Sequence, residues 1–473
     1  MATGKALRQP LVGVGRWLNR HPILKRWLQI LRLGLFQFGM GVSLAPLTGT
    51  LNRVLIHELG IPAVAVGALI AIHYFVSPAR ALIGFASDKA RARGRWRTPF
   101  MVFGALLTYG GLATAPFSLI LLSGDGVVPF PLAMLICSLI FLAYGVGVNI
   151  VETIYLATVS DITPARERGQ VLGLLWIMLV LGTIASSVLM GQLLINYNHL
   201  LLIQVMQGSA VLFIALTFVA MYGQERLKAN GSLEDVAEPI RVRETLGESL
   251  RLLAGQRPLR NLFTLLFVAT LGFATHDVLL EPYGGQVLAM SVTETTRLTA
   301  LSGSGMLVGI IIAALLLWRG RSPLLLLSAG CLLGMAGFLG VSLAGYTIDI
   351  SLFLTGVTLI GAGRGVFIVG ALALVMGMVE QNHTGLFIGL WGITQAIAQG
   401  FSTIGGGLGR DLVQQLTGQI TLGYTAVYIA SLTLLALTVA LLLLLRLGRG
   451  LRKETTRTPW DGLDQANVDQ ILF

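Results

Sequence analysis

The chain has 473 residues, of which 55% are hydrophobic and only 12% are charged, and its formal net charge is +11. This composition excludes a soluble globular protein, in which about a quarter of the residues carry a charge. The 33 Lys and Arg residues are spread over many short segments, which argues against nucleic-acid binding and favours contact with membrane lipid.

Apolar runs recur along the whole chain, and each is long enough to cross a bilayer, which takes about 20 residues. They predict an all-α membrane protein with twelve transmembrane helices. The predicted spans are 31–55, 63–86, 99–122, 129–157, 170–194, 199–222, 261–283, 299–318, 323–345, 350–379, 384–409 and 420–445. A polar stretch divides them six from six, which is typical of two pseudo-symmetric halves related by an axis along the membrane normal.

The spans and the polar segments together divide the chain into five predicted parts. They are an N-terminal arm with an interfacial helix (1–30), a six-helix half (31–222), a linker (223–260), a second six-helix half (261–445) and a tail (446–473). Trp17 and Trp27 stand among Arg and Lys residues in the arm. That pattern is typical of a helix that lies on an anionic membrane surface.

The positions of the basic residues predict the orientation of the chain in the membrane. Cytoplasmic loops collect Lys and Arg, and a cytoplasmic N-terminus places all but five of the 33 basic residues on that side. The five others are Arg53, Arg80, Arg297, Arg364 and Arg410. We therefore predict that both termini, the arm, the linker and the tail are cytoplasmic.

Two similar segments, NRVLIHELG and HDVLLEPYG, end the first and seventh spans. Their alignment matches Arg53 with Asp277 and His57 with Glu281. On one helix, Asp277 and Glu281 would share a face and would need partners, because a desolvated charge is costly. We predict an inter-half lock at the outer face that pairs Arg53 with Asp277 and His57 with Glu281. The alternative is that these side chains lie at a wet helix end and bind water.

Glu152 lies inside span four, and Arg364 lies near the middle of span ten. An intramembrane charge is costly and by default marks a functional site. Spans one, four, seven and ten would line the central cavity of such a fold, so we expect Glu152 and Arg364 to form a polar pair there. The pair would serve as a polar floor for a ligand or as a proton-coupling pair; alternatively it only fixes the packing of the two halves.

Two histidines are candidate metal ligands, suited to the magnesium of a chlorin as well as to other metals. His73 is a lone imidazole in span two, and His276 belongs to the polar cluster that ends span seven. A neutral imidazole is a common metal ligand. The alternative is that a neighbouring hydroxyl or carbonyl group satisfies each ring by hydrogen bonding.

The loop after span two has the sequence GFASDKARARGRWR. It places Gly84, Asp88, Lys89, Gly94 and Arg95 at positions that match the inner-loop motif of the major facilitator superfamily, which the chain therefore resembles. The stretches LFQFGMGVSLAPLTGTLNRVLIHELGIPAVAVG, SPARALIGFASD and THDVLLEPYGGQVL are similar to one branch of that superfamily. This is the bacteriochlorophyll-delivery branch, the PucC-type and LhaA-type assembly proteins of light-harvesting complexes.

The resemblance implies a major facilitator fold, with chlorophyll or bacteriochlorophyll as the bound pigment, and His73 and His276 are then the candidate pigment ligands. It also implies nascent antenna or photosystem subunits as partners, and a place in a thylakoid or bacterial inner (photosynthetic) membrane. The sequence contains no catalytic constellation, so the main hypothesis is a non-enzymatic assembly factor that binds and delivers pigment. One alternative is a proton-coupled secondary transporter of a small solute. The other is a structural partner that docks on a photosynthetic complex without a ligand.

Overall fold

The computed structural model describes residues 22–92, 96–123, 128–163, 168–225, 257–378 and 384–444, and these are α-helical apart from short turns and π-helical or 3₁₀ segments. Most of the predicted arm, nearly all of the linker and the tail lie outside the described residues. Their predicted boundaries and their cytoplasmic location therefore stay predictions.

The first half begins with one long helical segment, and helices of different lengths follow it. They are α1 (Pro22–Ala45) with its π-helical continuations Pro46–Leu51 and Val54–Glu58, α2 (Ala63–Val76), α3 (Arg80–Ala92), α4 (Thr98–Thr114), α5 (Ser118–Leu121), α6 (Phe130–Ile162), α7 (Arg168–Leu193) and α8 (His199–Met221). Proline lacks the backbone N–H that regular α-helical hydrogen bonding needs, and Pro46 begins the first π-helical segment. Gly60 follows the second segment with a φ of +65°, the left-handed conformation that glycine adopts without strain.

The second half repeats this arrangement. Its helices are α9 (Arg257–Ala274), α10 (Leu280–Gln286), α11 (Val292–Trp318), α12 (Pro323–Thr347), α13 (Ile350–Met378), α14 (Thr384–Thr417) and α15 (Ile420–Leu444). Residues 275–279 form turns between α9 and α10 rather than continuing either helix. The seventh predicted span, 261–283, is therefore interrupted near its end.

Nine helical segments in the described part of the chain are long and apolar enough to cross a membrane. They are Trp27–Glu58, Thr98–Leu121, Phe130–Ile162, Val171–Leu193, His199–Met221, Val292–Trp318, Pro323–Thr347, Ile350–Val375 and Ile420–Leu444. Ala63–Ala79 and Arg260–Ala274 are shorter apolar helices. The prediction of an all-α membrane protein is confirmed, whereas the count of twelve crossings and the cytoplasmic termini stay predictions.

The two halves meet along two helix pairs, α2 with α14 and α7 with α11. Glycine permits the first pair to approach closely, because a Cβ atom added to Gly407 would lie only 2.5 Å from the carbonyl oxygen of Ala63. A Cβ atom on Gly67 would lie 2.7 Å from the carbonyl oxygen of Thr403. Small residues at such crossings let helix backbones pack against each other in a membrane.

One end of the molecule, which we name the closed end, joins the halves by hydrogen bonds around Arg53. The hydroxyls of Thr50 and Thr296 lie 3.0 Å apart, and Gln286 Nε2 donates to the carbonyl oxygen of Ile56 at 3.2 Å. The ends of the first and seventh spans therefore lie against each other. This proximity agrees with the alignment of the two segments, although the charged residues pair differently.

Candidate functional site

A cavity of about 370 Å³ lies between the two halves. Helices α1, α2, α6 and α7 contribute to its wall from the first half, and α9, α11, α13 and α14 contribute from the second. Among the predicted site residues, the cavity is lined by His73, Glu152, His276, Asp277, Glu281 and Arg364. Both candidate pigment ligands and the predicted polar pair thus share one cavity, which lies within the usual volume range of small-molecule sites.

Glu152 forms an ion pair with Arg80 rather than with Arg364. Arg80 is the first residue of α3, and its guanidinium donates to Glu152 and, at 2.6 Å from Nε, to Asn149 Oδ1. Asn149 and Glu152 lie three residues apart on α6, so both point to the same neighbour. The predicted Glu152–Arg364 pair is wrong, because a nearer guanidinium from the same half already binds the carboxylate.

Arg364 binds Asp277, its partner within the second half. Its Nη1 atom lies 3.0 Å from Asp277 Oδ1 and 3.1 Å from Oδ2. Asp277 belongs to the turns between α9 and α10, so it does not share a helical face with Glu281. The predicted Arg53–Asp277 pair is therefore wrong, since the turn directs Asp277 towards α13.

Arg53 is buried at the closed end and binds groups other than Asp277. Its Nη1 donates to Glu58 Oε1 at 2.7 Å, and its Nη2 donates to the carbonyl oxygen of Met290 at 3.1 Å. The first contact stays within the first half, and the second crosses to the other half. Arg53 thus joins the halves through a backbone carbonyl, and the predicted lock between opposite charges is replaced by a hydrogen bond.

Glu281 is only 3% exposed and accepts a 2.6 Å hydrogen bond from the Thr299 hydroxyl through Oε1. Its other oxygen, Oε2, is buried without a hydrogen-bond partner in the described part of the chain. His57, its predicted partner, has its nearest carboxylate contact with Glu58, at 4.0 Å. The predicted His57–Glu281 pair is wrong, because Glu281 turns towards α11 and the cavity.

The two candidate ligand histidines have different surroundings. His73 Nδ1 lies 2.7 Å from the carbonyl oxygen of Ile70, and its ring centroid lies 3.7 Å from that of Tyr74. A ring that donates from Nδ1 keeps a lone pair on Nε2, as metal-binding histidines commonly do. His276 is buried, with Nε2 3.8 Å from Asp277 Oδ1 and its ring edge against Phe338.

The loop motif is described only in part. Gly84 is half-buried and faces Thr153, and Lys89 is exposed. Gly94, Arg95 and the side chain of Asp88 lie outside the described residues, so the predicted role of the motif stays a prediction.

Charged residues close to the loop motif form contacts that the motif itself did not indicate. Arg97 Nη2 lies 3.3 Å from Asp161 Oδ2. The backbone amides of Arg97 and Thr98 donate to the Glu225 carboxylate at 3.0 Å. These contacts tie the start of α4 to the ends of α6 and α8.

The sequence analysis missed Arg80 on the cavity wall and Gln286 at the closed end. Arg80 was one of the five basic residues outside the cytoplasmic segments, which was the available signal, but nothing in the sequence identified its partners. Gln286 was missed as well: it accepts 2.6 Å hydrogen bonds from Arg410 and from the Tyr424 hydroxyl. Within the described ranges, no three side chains of the His, Cys, Asp and Glu types come together as a metal site.

The helices and the central cavity have the fold of solved membrane transporters. A solved structure of the nucleoside transporter NupG has a TM-score of 0.63 at 15% identity, covering 90% of this chain and all of that one. A bacterial homologue of the lysosomal transporter Spinster, in an inward-facing conformation, has a TM-score of 0.64 at 12% identity, covering 91% of this chain and 98% of that one. At these identities the likeness shows the fold alone.

The chain belongs to the PUCC protein family, whose profile matches residues 50–450. Protein PucC of Cereibacter sphaeroides is 37% identical over 85% of this chain and 87% of its own length. A Rhodobacter capsulatus relative, named as an uncharacterized protein in the puhA-bchM intergenic region, is 38% identical over 88% of each chain. Another from that species, named bacteriochlorophyll synthase 44.5 kDa chain, is 32% identical over 82% of this chain and 88% of its own length.

The family and the apolar helices together fix the location of the protein. It is an integral, multi-pass protein of the bacterial photosynthetic membrane. The resemblance drawn from the three sequence stretches is thereby confirmed at the level of the family.

Proposed function

We propose that this protein is a non-enzymatic assembly factor that binds a chlorophyll-type pigment in the central cavity and delivers it to nascent antenna or photosystem subunits. Membership of the PUCC family over most of the chain is the observation that carries the proposal. One relative's name refers to bacteriochlorophyll synthesis, which links the family to the same pigment class. The protein then acts by holding and releasing pigment, while the chemistry of pigment synthesis belongs to other proteins.

The donor set of the cavity fits such a ligand. His73 lines the cavity with Nδ1 held by the Ile70 carbonyl oxygen, which leaves Nε2 for the central magnesium. His276 is the second candidate, on the opposite half. The apolar tail of such a pigment needs no polar partner and is accommodated between helices or in lipid.

An absorption spectrum tests the proposal. The full-length protein is purified from its native membrane in mild detergent, and the pigment is extracted and quantified per protein. We expect chlorin absorption bands at a fixed ratio close to one pigment per chain or a small multiple of it. A colourless protein that still folds and binds no added bacteriochlorophyll would overturn the proposal.

A histidine series locates the ligand. His73→Leu is expected to weaken pigment binding by about tenfold or more, since loss of metal-site support has effects of that size. His199→Leu is the matched control, because His199 is exposed at the start of α8, away from the cavity. If His73→Leu binds pigment normally and His276→Leu does not, His276 is the histidine that would hold the pigment.

A proton-coupled secondary transporter is the second candidate, and the two ion pairs that face the cavity favour it. Arg80–Glu152 and Arg364–Asp277 place ionisable groups where a small solute would bind. Reconstitution in vesicles distinguishes the candidates: solute accumulation driven by a proton gradient, with no bound pigment, supports the transporter.

A further inference from the structure

Three polar side chains on the cavity wall have buried hydrogen-bonding atoms that bind no group in the described residues. They are both amide atoms of Gln37, Nε1 of Trp176 and Oε1 of Gln395. Buried polar atoms are nearly always hydrogen-bonded in folded proteins. The indole N–H of Trp176 can only donate, so it requires an acceptor that the described residues do not supply.

Arg364 also retains donors that face the cavity. Asp277 occupies only Nη1, which bonds both carboxylate oxygens. A guanidinium has five N–H donors, and the side chain of Arg364 remains 26% exposed although it lies in the middle of α13. Arg364 therefore has Nη2 and Nε for a further acceptor.

The charges around the cavity indicate what kind of acceptor fits. The Arg364–Asp277 and Arg80–Glu152 pairs are each neutral overall. Glu281 adds a carboxyl group whose Oε2 has no partner in the described ranges. An anionic ligand group would gain no net attraction and would be repelled by any ionised Glu281. A neutral carbonyl oxygen accepts from a guanidinium or an indole N–H without that cost.

We infer that the cavity recognises a flat pigment by neutral carbonyl groups at its edge. Arg364 donates to one carbonyl from the second half, and Trp176 donates to another from the first half. This inference rests on the proposed function and deepens it by assigning the specificity of the same site to ketone and ester groups. A pigment held in this way would bridge the halves, with a histidine holding its metal and these two donors contacting its edge.

Vibrational spectroscopy tests the inference directly. Purified bacteriochlorophyll is bound to the full-length protein, and resonance Raman spectra record the carbonyl stretching bands. Hydrogen bonding lowers a carbonyl stretching frequency, so we expect at least two lowered bands in the wild-type complex. A second probe is the same pigment with its ring ketone reduced by borohydride to an alcohol.

Two variants assign the bands. Trp176→Phe keeps an aromatic ring but removes the N–H, and we expect one band to return to the unbonded frequency with about three- to tenfold weaker binding. Arg364→Lys keeps a positive charge beside Asp277 but lacks the planar guanidinium that can donate to two acceptors at once. We expect the other carbonyl band to shift, with roughly ten- to hundredfold weaker pigment binding. Each variant should also no longer prefer pigment that has the carbonyl group it fails to contact over pigment in which that group is reduced.

Trp391→Phe is the matched control. Trp391, like Trp176, has a buried Nε1 that lacks a partner in the described residues, but Trp391 does not line the cavity. We expect the carbonyl bands of the pigment bound to Trp391→Phe, and the affinity of this variant for pigment, to match those of the wild type. If pigment binds but both bands are unbonded, or neither variant changes them, the inference is wrong and the proposed function stands. If no pigment binds, both fail together.

Discussion

Arg364 on α13 holds Asp277 through a single nitrogen, with Nη1 3.0 Å from Oδ1 and 3.1 Å from Oδ2. Both residues belong to the second half, just as Arg80 and Glu152 both belong to the first. Each of these two ion pairs therefore lies within one half. The halves are joined at the closed end by other contacts, such as the hydrogen bond from Arg53 to the Met290 carbonyl oxygen.

A double-mutant cycle on Asp277 separates this arrangement from a charge lock between halves. We expect Asp277→Asn and Arg364→Gln to be coupled by about 1–3 kcal/mol in the free energy of unfolding, because the two groups are in contact. Asp277→Asn and Arg53→Gln should be additive within about 0.5 kcal/mol. Unfolding in mixed detergent micelles measures both cycles. Strong coupling of Asp277 to Arg53 with none to Arg364 would contradict the structure.

The Arg80–Glu152 pair predicts a large effect of a small substitution. Glu152→Gln leaves the Arg80 guanidinium without its carboxylate partner, and breaking a buried ion pair in this way costs about 3–5 kcal/mol. The Arg80→Gln, Glu152→Gln double variant removes both charges and should recover part of that loss. Thermal denaturation midpoints of the wild type, the single variant and the double variant in detergent test this prediction, and the single variant should have the lowest midpoint. Equal midpoints for wild type and Glu152→Gln would show that the pair carries little stability.

The sequence predicted which polar residues lie in the membrane better than it predicted their partners. Glu152, Arg364, His73 and His276 all line the central cavity. These residues stand out because ionisable side chains are rare in apolar spans. The resemblance carried by three sequence stretches also predicted the family, which the profile match over residues 50–450 confirms.

The pairings could not be predicted because local breaks in the helices decide them. Residues 275–279 form turns, which separate Asp277 from Glu281 and direct Asp277 to α13. A 3₁₀ turn at Ser77–Ala79 ends α2, so that Arg80 begins a new helix facing α6. Helical periodicity assumes a continuous helix, and such turns change which face a residue occupies.

Gln286 is expected to be a major support of the closed end. Its amide accepts from Arg410 and from Tyr424, and donates to the Ile56 carbonyl oxygen. Gln286→Met removes all three hydrogen bonds and leaves Arg410 poorly satisfied, so we expect a loss of about 2–4 kcal/mol. Gln286→Glu keeps the acceptors and should lose less.

The control for Gln286 is Gln415→Met, which alters an exposed amide on α14. Surface substitutions of this kind usually stay within about 0.5 kcal/mol. Denaturation midpoints of the three variants in detergent should therefore rank Gln415→Met first and Gln286→Met last. A Gln286→Met protein as stable as the Gln415→Met protein would show that the network contributes little.

Two glycines on α14 test whether close helix approach holds the halves together. A Cβ atom on Gly407 would lie 2.5 Å from the Ala63 carbonyl oxygen, whereas one on Gly405 would meet nothing within 4 Å. Both positions are helical, so alanine gains about 0.5–1 kcal/mol of helix propensity at each. At Gly407 the clash with backbone forces α2 and α14 apart, at a cost of about 1–3 kcal/mol. We expect Gly405→Ala to raise the denaturation midpoint slightly and Gly407→Ala to lower it. Since the two variants have the same composition, a shared shift in either direction would rule out the α2–α14 contact as the cause.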